Sequence, residues 1–360
     1  MSYIDPAGKL LYHLDRLAAI QAGEHPAPVN VEVDLSNRCN LGCAGCHMAA
    51  THTRGPLASR RMVEVGDLIQ APLAFNLLGQ LETAGVQSVT WSGGGEPTLH
   101  PEFCQIVNYA HFAKLKQGLY TNGTHLAPYA NLIKRAMSWV VVSMDEAEEV
   151  AYARYKGPFF EQACAGVRAL VRSEGSAVVG LSFLLDEHNW HQGPQMIELG
   201  DELGADYVNF RPLIRFDAVN PGRRAGDNTW LAPAIQWLKD AKNGTYGPLR
   251  IEADPERFEI YRNWHTPSGT RSAGHGYPLC YWAQLQAVIT PDGRVWTCCN
   301  RRGREGDCLG DMNRESFSQI WERSKAKEVS SGCRVLCRGH LPNRTLHALF
   351  DQAPAHKEFI

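Results

Sequence analysis

Three cysteines stand within eight residues of one another in LSNRCNLGCAGCHMA, at Cys39, Cys43 and Cys46. Thiolates at that spacing on one short loop can hold three irons of a four-iron cubane. The fourth iron then has no protein ligand, and an open iron can chelate a small molecule. Zinc is one alternative, with His47 as fourth ligand, although the usual paired second half of such a site is missing nearby. Covalent haem is another, because CAGCH matches C-x-x-C-H, an attachment that normally follows export. Three inert buried thiols are the third. A second, sparser set lies toward the C-terminus: Cys280-x12-Gly293-x4-Cys298, then Cys299, Cys308 and Cys333-x3-Cys337. Cys104 and Cys164 fall within helical stretches and read as core.

The elements that must position these cysteines alternate regularly. Strand-like runs occur at 29–36, 87–94, 117–123, 139–145, 177–186 and 207–214. Between them lie helical segments at about 63–84, closed by Gly85, after Pro101, and near 129–137, 158–172 and 192–203. Six β–α units in succession predict a parallel sheet with right-handed crossovers, an α/β fold of partial (β/α)6 TIM-like barrel type. The first cysteine loop follows the first strand, and polar motifs sit at the ends of the others. That rim is where α/β barrels do chemistry. Residues 1–28 read as an N-terminal amphipathic helix with Leu10, Leu11, Leu14 and Leu17 on one side. The barrel occupies 29–216 and a connection 217–275. A small C-terminal cysteine domain spans 276–345, too poor in apolar runs to fold on packing alone, and a tail covers 346–360. TPDGRVWTCC carries a hairpin signal at Asp292-Gly293, and LGDMNRESFSQIW reads as a loop entering a helix.

The chain has 360 residues, 44% of them hydrophobic, and a net charge of -2. It advertises no basic surface for nucleic acid or anionic membrane. The N-terminus lacks the basic start, continuous apolar core and small-residue cleavage site of a signal peptide, and no window suits a membrane span. A cytoplasmic protein is expected, and its 11 cysteines then suggest metal ligation or catalysis before disulfides.

Cys39-x3-Cys43-x2-Cys46 resembles the signature loop of the radical S-adenosylmethionine (SAM) superfamily. The resemblance implies a [4Fe–4S] cluster whose open iron binds the amino and carboxylate groups of SAM, and whose electron cleaves SAM to a 5′-deoxyadenosyl radical. An external electron donor such as flavodoxin or ferredoxin is implied with it. The residue before the third cysteine is often aromatic in this family and lies near the adenine; here it is Gly45, with His47 or Met48 as possible substitutes. WSGGGEPTLHP resembles the family's "GGE" motif, which implies SAM amino-group contacts from Gly94, Gly95 and Glu96. Asn122, at the end of the third strand, faces the rim. Ser143 and Arg154, in VVVSMDEAEEVAYARYKG, match the family's Ser and Arg that hold the SAM ribose and carboxylate.

The C-terminal cysteines resemble the auxiliary-cluster domain of the SPASM and "twitch" branches. The C-x2-C-x5-C-x3-C block of a full SPASM domain is absent. The resemblance therefore implies one auxiliary [4Fe–4S] cluster on Cys280, Cys298, Cys333 and Cys337, or structural zinc on the same thiolates. Cys299 and Cys308 are left over as hydrogen-atom donor candidates, alternative ligands or inert thiols.

For substrate contacts the rim offers Thr51, His52, Thr53, Arg54, Trp91, Asn209, Arg211 and Arg215. Hydroxyl, imidazole and guanidinium groups favour a polar or anionic small molecule: a sugar, aminocyclitol or nucleoside, oxidised or rearranged. A hypermodified thymidine in phage DNA, a ribosomal peptide and a non-enzymatic electron-carrier role are the alternatives. The peptide reading is disfavoured by the 28 residues before the first strand, too few for a peptide-binding winged helix.

Overall fold

Alternate residues of the first strand do opposite jobs. In β1 (Asn30–Asp34), Val31 and Val33 join the main apolar core, while Glu32 and Asp34 occupy the other face. The same alternation runs through β2 (Ser88–Ser92), β3 (Lys116–Thr121), β4 (Trp139–Ser143), β5 (Val178–Leu185) and β6 (Tyr207–Pro212). Val89 and Trp91, Val140 and Val142, Leu181 and Phe183, and Val208 and Phe210 face the helices. Thr90, Val141, Ser182, Asn209 and Arg211 occupy the opposite, inner face. The strands read as apolar throughout, yet it is mainly their outer faces that are so, with Gln117 on β3 a buried polar exception bonded to Trp91. The computed structural model describes residues 3, 5, 7–60, 63–213, 228–245, 249–264, 275–329, 333 and 337–352.

All six expected strands are present within two residues of their expected limits. Helix α1 (Leu14–Gln21) precedes the barrel. Helices α2 (Ala71–Ala84), α3 (Phe103–Phe112), α4 (Ala130–Ala136), α5 (Glu149–Tyr155), α6 (Phe160–Arg172) and α7 (Gly193–Glu202) lie between successive strands. Their buried residues recur at helical spacing: Ala74, Leu77, Leu78 and Leu81 on α2, and Ala163, Cys164, Val167 and Leu170 on α6. Gly85 closes α2 with φ 82°.

Three expectations need correction. Helix α2 begins at Ala71, not near residue 63. The segment before it is drawn out extended along the first cysteine loop, where Ile69 N–H donates to Leu35 O at 3.1 Å, and Pro72 opens the helix. The N-terminal segment is not one amphipathic helix. A 3₁₀ turn (Gly8–Tyr12) breaks from α1 at His13, so Leu10 and Leu17 are buried while Leu11 and Leu14 are 67% and 60% exposed. The connection also holds more regular structure than expected. Helices α8 (Leu231–Asp240) and α9 (Pro255–Trp264) flank β7 (Arg250–Ala253), which pairs in parallel with β6. Arg215 and the Gly/Pro/Arg-rich stretch from Asn220 to Asp227 lie outside the described residues.

The C-terminal cysteine segment is joined to the barrel edge. Strand β8 (Leu279–Cys280) pairs with β12 (Lys327–Glu328). β9 (Gln286–Ile289) pairs in parallel with β1, and β10 (Arg294–Trp296) and β11 (Cys308–Asp311) continue it antiparallel. One ten-stranded sheet results, in the order β11-β10-β9-β1-β2-β3-β4-β5-β6-β7. The β9–β10 turn uses Asp292-Gly293, with Gly293 at φ 86°, where glycine is favoured. Helix α10 (Phe317–Trp321) starts with a Ser316/Gln319 capping box, and α11 (His340–Phe350) covers Leu285 through Leu346. Aromatic rings pair beside the sheet: Tyr120 against Trp139 at 5.0 Å, and Tyr3 against Tyr207 at 5.2 Å. No helix among the described residues is long and apolar enough to cross a membrane.

Candidate functional site

The loop after β1 is clamped from three sides. The GGE turn after β2 donates Gly95 N–H to Ser36 O and Glu96 N–H to Arg38 O, at 2.9 and 2.8 Å. The C-terminal turn of α5 accepts Gly42 N–H at Lys156 O and Ala44 N–H at Tyr155 O, at 2.9 and 2.8 Å. The extended stretch before α2 adds Asn37 N–H to Asp67 O at 2.8 Å and Arg38 Nε to Asp67 at 2.9 Å. Cys39, Cys43 and Cys46 are thereby fixed at the strand ends. Burial pushes their thiols up, Cys39 to about 12 and Cys46 to about 11. Each is close enough to another of the three to interact electrostatically.

Around them the rim is densely bonded. Glu96, only 2% exposed, accepts Thr98 N–H and Oγ1 and Thr121 Oγ1 at Oε1, at 3.1, 2.7 and 2.8 Å, and Asn122 N–H at Oε2, at 2.7 Å. Its carboxylate therefore stitches the GGE turn to the end of β3. Asn122 Nδ2 donates to Asn40 Oδ1 at 2.8 Å and lies 3.9 Å from Cys39 Sγ. Ser143 Oγ donates to Asp145 Oδ2 at 2.6 Å.

Arg154 is exposed on α5. Tyr152 and Lys156 are one helical turn apart on the inward face, and Arg154 between them is turned away. The buried cation is Lys156, which sits 2.8 Å from Asp145 Oδ2, donates to Ser143 O and interacts with Cys43. The space beside Gly45 is also filled from α5: a Cβ there would run into the Tyr155 hydroxyl and Leu213.

Several substrate candidates are committed elsewhere. Trp91 is fully buried on the helix side and donates to Gln117 Oε1 at 2.8 Å. Thr51 Oγ1 donates to Met48 O at 2.9 Å, Thr53 Oγ1 donates to Asp67, and Arg54 is exposed. His52 is buried with Nε2 3.7 Å from Cys46 Sγ, whereas His47 is exposed. Asn209 and Arg211 do face inward, and Arg211 Nη2 donates to Ser182 Oγ at 2.9 Å.

The C-terminal cysteines converge. Cys280 interacts with Cys333, Cys298 with Cys280 and Cys337, and Cys337 with Cys280. Burial pushes Cys337 to about 12 and raises Cys280 and Cys298. Cys299 lies beside Cys298 and Cys337. Cys308 does not join them. It sits on β11 opposite Trp296, packed with Val65 and Val288, and its thiol faces Gly310 O at 3.5 Å. Cys299 packs against the same small apolar cluster.

Two arginines that follow these cysteines reach back into the barrel. Arg302 bonds Glu32 at 2.8 Å and pairs with Asp34, and Arg338 pairs with Glu32. Neither arginine was singled out from the sequence, although each follows a cysteine closely.

The donor chemistry fits iron–sulfur clusters. Among the described residues no three donors are closed to metal-ligand geometry, so the fit rests on the thiols themselves. Buried neutral thiols ionise only against a bound cation, and each set gathers several of them. Gly95 offers a direct test, because a Cβ there would run into the Arg38 carbonyl. Gly95→Ala is expected to cost about 1–3 kcal/mol from overpacking and to displace the first cysteine loop. Iron analysis should show the first set emptied and the second retained; full iron content would refute the clamp.

Residues 33–200 match the model of the radical SAM superfamily, and residues 280–343 match the SPASM iron–sulfur cluster-binding domain. The chain is 25% identical to the AdoMet-dependent heme synthase of Methanosarcina barkeri, over 86% of this chain and 92% of that protein. It is 27% identical to mycofactocin maturase MftC of Mycobacterium ulcerans (85% and 78% covered) and 26% identical to the PqqA peptide cyclase of Gluconobacter oxydans (82% and 77%). The fold matches Streptococcus suis SuiB, crystallised with its precursor peptide SuiA, with a TM-score of 0.64 at 14% identity over 89% of this chain and 71% of that one. Members of this superfamily are enzymes that use SAM and a [4Fe–4S] cluster, and a SPASM domain brings auxiliary iron–sulfur binding. On its cysteine loop, its strand-end motifs and its second cysteine module, this chain belongs to the radical SAM superfamily, in its SPASM-type branch.

Proposed function

We propose that the chain is a peptide-modifying radical SAM enzyme. Cys39, Cys43 and Cys46 would hold the cluster with the open iron, and Cys280, Cys298, Cys333 and Cys337 the auxiliary one. SAM bound at the open iron supplies a 5′-deoxyadenosyl radical when an electron arrives from a carrier such as flavodoxin or ferredoxin. The strand-end backbone at Gly94 and Gly95 is presented to the SAM ammonium, and Glu96 stiffens that turn through Thr98, Thr121 and Asn122. Ser143, held by Asp145 and Lys156, is available to the ribose. Arg211 and Asn209 then face the substrate from β6, with Arg211 oriented by Ser182.

The observation that carries the peptide reading is the span of the similarity to the PqqA peptide cyclase: 82% of this chain, through barrel and cysteine module together. The test uses anaerobically reconstituted protein, SAM, dithionite and two panels of probes, synthetic short peptides and carboxylated or hydroxylated small molecules. Peptides are expected to raise 5′-deoxyadenosine above the uncoupled level and to change mass. Turnover on the small molecules alone would overturn the reading.

A second reading, a polar or anionic small molecule, is favoured by the similarity to the heme synthase over 92% of that protein's length and by the inward-facing guanidinium of Arg211. The same two panels separate it from the first.

A further inference from the structure

Side-chain N–H groups meet sulfurs in both cysteine sets, but unequally. In the first set Asn122 Nδ2 stands 3.9 Å from Cys39 Sγ and His52 Nε2 3.7 Å from Cys46 Sγ. These are long contacts from an amide and an imidazole. In the second set Arg301 Nη2 donates to Cys333 Sγ at 2.9 Å, and Asn343 Nδ2 donates to Cys280 Sγ at 3.2 Å. Those bonds are short, and one donor carries a full charge.

The donors of the second set are also held firmly. Arg301 is fixed by Asp307 at 2.9 Å. Asn343 is 1% exposed and its Oδ1 accepts Trp282 N–H at 2.9 Å, which sets its amide with the NH₂ toward the sulfur.

The wider charge distribution points the same way. Besides Arg301, Arg257 interacts with Cys337, and Arg302 and Arg338 interact with Cys299. The carboxylates facing this cationic group are Asp307, Glu32, Asp34 and Asp254. Around the first set stand Glu96 beside Cys39, and Asp145 and Lys156 beside Cys43. At the second set guanidinium groups match the carboxylates and one of them bonds a sulfur directly, whereas at the first set two carboxylates face one ammonium.

The potential of an iron–sulfur cluster follows hydrogen bonding to its sulfurs and the net charge around it. A short bond from a cation withdraws density from a ligating sulfur, and positive surroundings favour the added electron. We propose that Arg301 and Asn343 hold the potential of the auxiliary centre above that of the SAM-binding centre, so that an electron given to the protein rests on the auxiliary centre first. The proposal rests on the two-cluster reading above. Both residues act through the ligating sulfurs and are positioning residues, not catalytic ones.

The test is a redox titration of the full reconstituted chain followed by electron paramagnetic resonance. Two waves are expected, and a variant with Cys39, Cys43 and Cys46 replaced by Ala identifies the auxiliary wave as the one it retains. That wave should lie at the higher potential. Arg301→Gln removes the charge and Asn343→Leu removes the N–H donor at similar volume without adding a charge. Each should move the auxiliary wave to lower potential, leave the other wave in place and preserve iron content, and Arg301→Lys should restore most of the shift. The proposal is overturned if the auxiliary wave lies at or below the other in the wild type. It is also overturned if neither variant moves that wave, or if both lose the auxiliary iron, which would make the residues structural. A wild type that binds only about one cubane's worth of iron would instead overturn the two-cluster reading itself.

Discussion

Anaerobic reconstitution is expected to load about eight irons per chain, about four for each cubane. Replacing Cys39, Cys43 and Cys46 together with Ala should leave about four and abolish SAM cleavage outright. The reason is geometric. The first set is clamped to the barrel rim by the GGE turn and by α5, while the second hangs on β8, on the residues after β10 and on the segment before α11. Neither borrows a thiol from the other. Loss of one should therefore leave the other able to assemble. Iron and sulfide analysis, with 5′-deoxyadenosine release, measures both consequences at once. A wild-type preparation that takes up zinc in place of iron, or a triple variant that still cleaves SAM, would contradict the assignment. Cys308→Ala, on β11 with its thiol facing Gly310 O, should keep full iron content.

The second large effect is on stability. Arg302 places its guanidinium between Glu32 and Asp34 on the inner face of β1, and all three side chains are at most 4% exposed. Burial pushes Asp34 up to about 7 against the pull of Arg302, with Glu32 beside it adding to the rise. Arg302→Ala would strand two buried carboxylates with only Arg338 to meet them. Breaking such a pair typically costs about 3–5 kcal/mol, mostly through the uncompensated charge. The sign with pH follows. In the variant the carboxylates titrate higher in the folded than in the unfolded chain, so the folded state binds more protons. Stability should then recover as pH falls from about 8 toward the ordinary carboxylate range near 4. Denaturant midpoints at pH 8 and pH 5 test this, with a smaller deficit expected at pH 5. Arg302→Met combined with Asp34→Asn removes one charge of each sign, leaves Glu32 paired with Arg338, and should lose much less than Arg302→Ala. Equal losses would contradict the charge argument.

The main elements were legible because their signals are local. Alternation and Gly or Pro punctuation located six strands and most helices to within a few residues. Helix α2 was drawn too long because 63–70 carries apolar residues such as Val65, whose partners Val288 and Trp296 lie far along the chain, a tertiary demand that no periodicity records. β7 was missed because a four-residue strand has too short a pattern to read. Arg154 was singled out because an arginine suits a carboxylate, and Lys156 was not considered. The helix phase that exposes Arg154 and buries Lys156 is visible only once α5 has its true limits.

By itself the sequence determined the chemistry: three cysteines on one loop after a strand, a glycine-rich strand end, and a second cysteine module whose hairpin turns at Asp292-Gly293. Thiolate spacing along a short loop is a covalent property of the chain, and it constrains the metal before any folding. Only the tertiary structure decided what surrounds those sulfurs. It placed His52 by Cys46 and Arg301 by Cys333, packed Cys308 against Trp296 and Val65, and put Arg302 and Arg338 of the cysteine module onto Glu32 and Asp34 of the first strand. Those neighbours come from residues far apart in the chain, brought together because β9 pairs with β1. Hydrogen bonds and charge act over a few ångströms of space, and spacing in the sequence does not measure that distance.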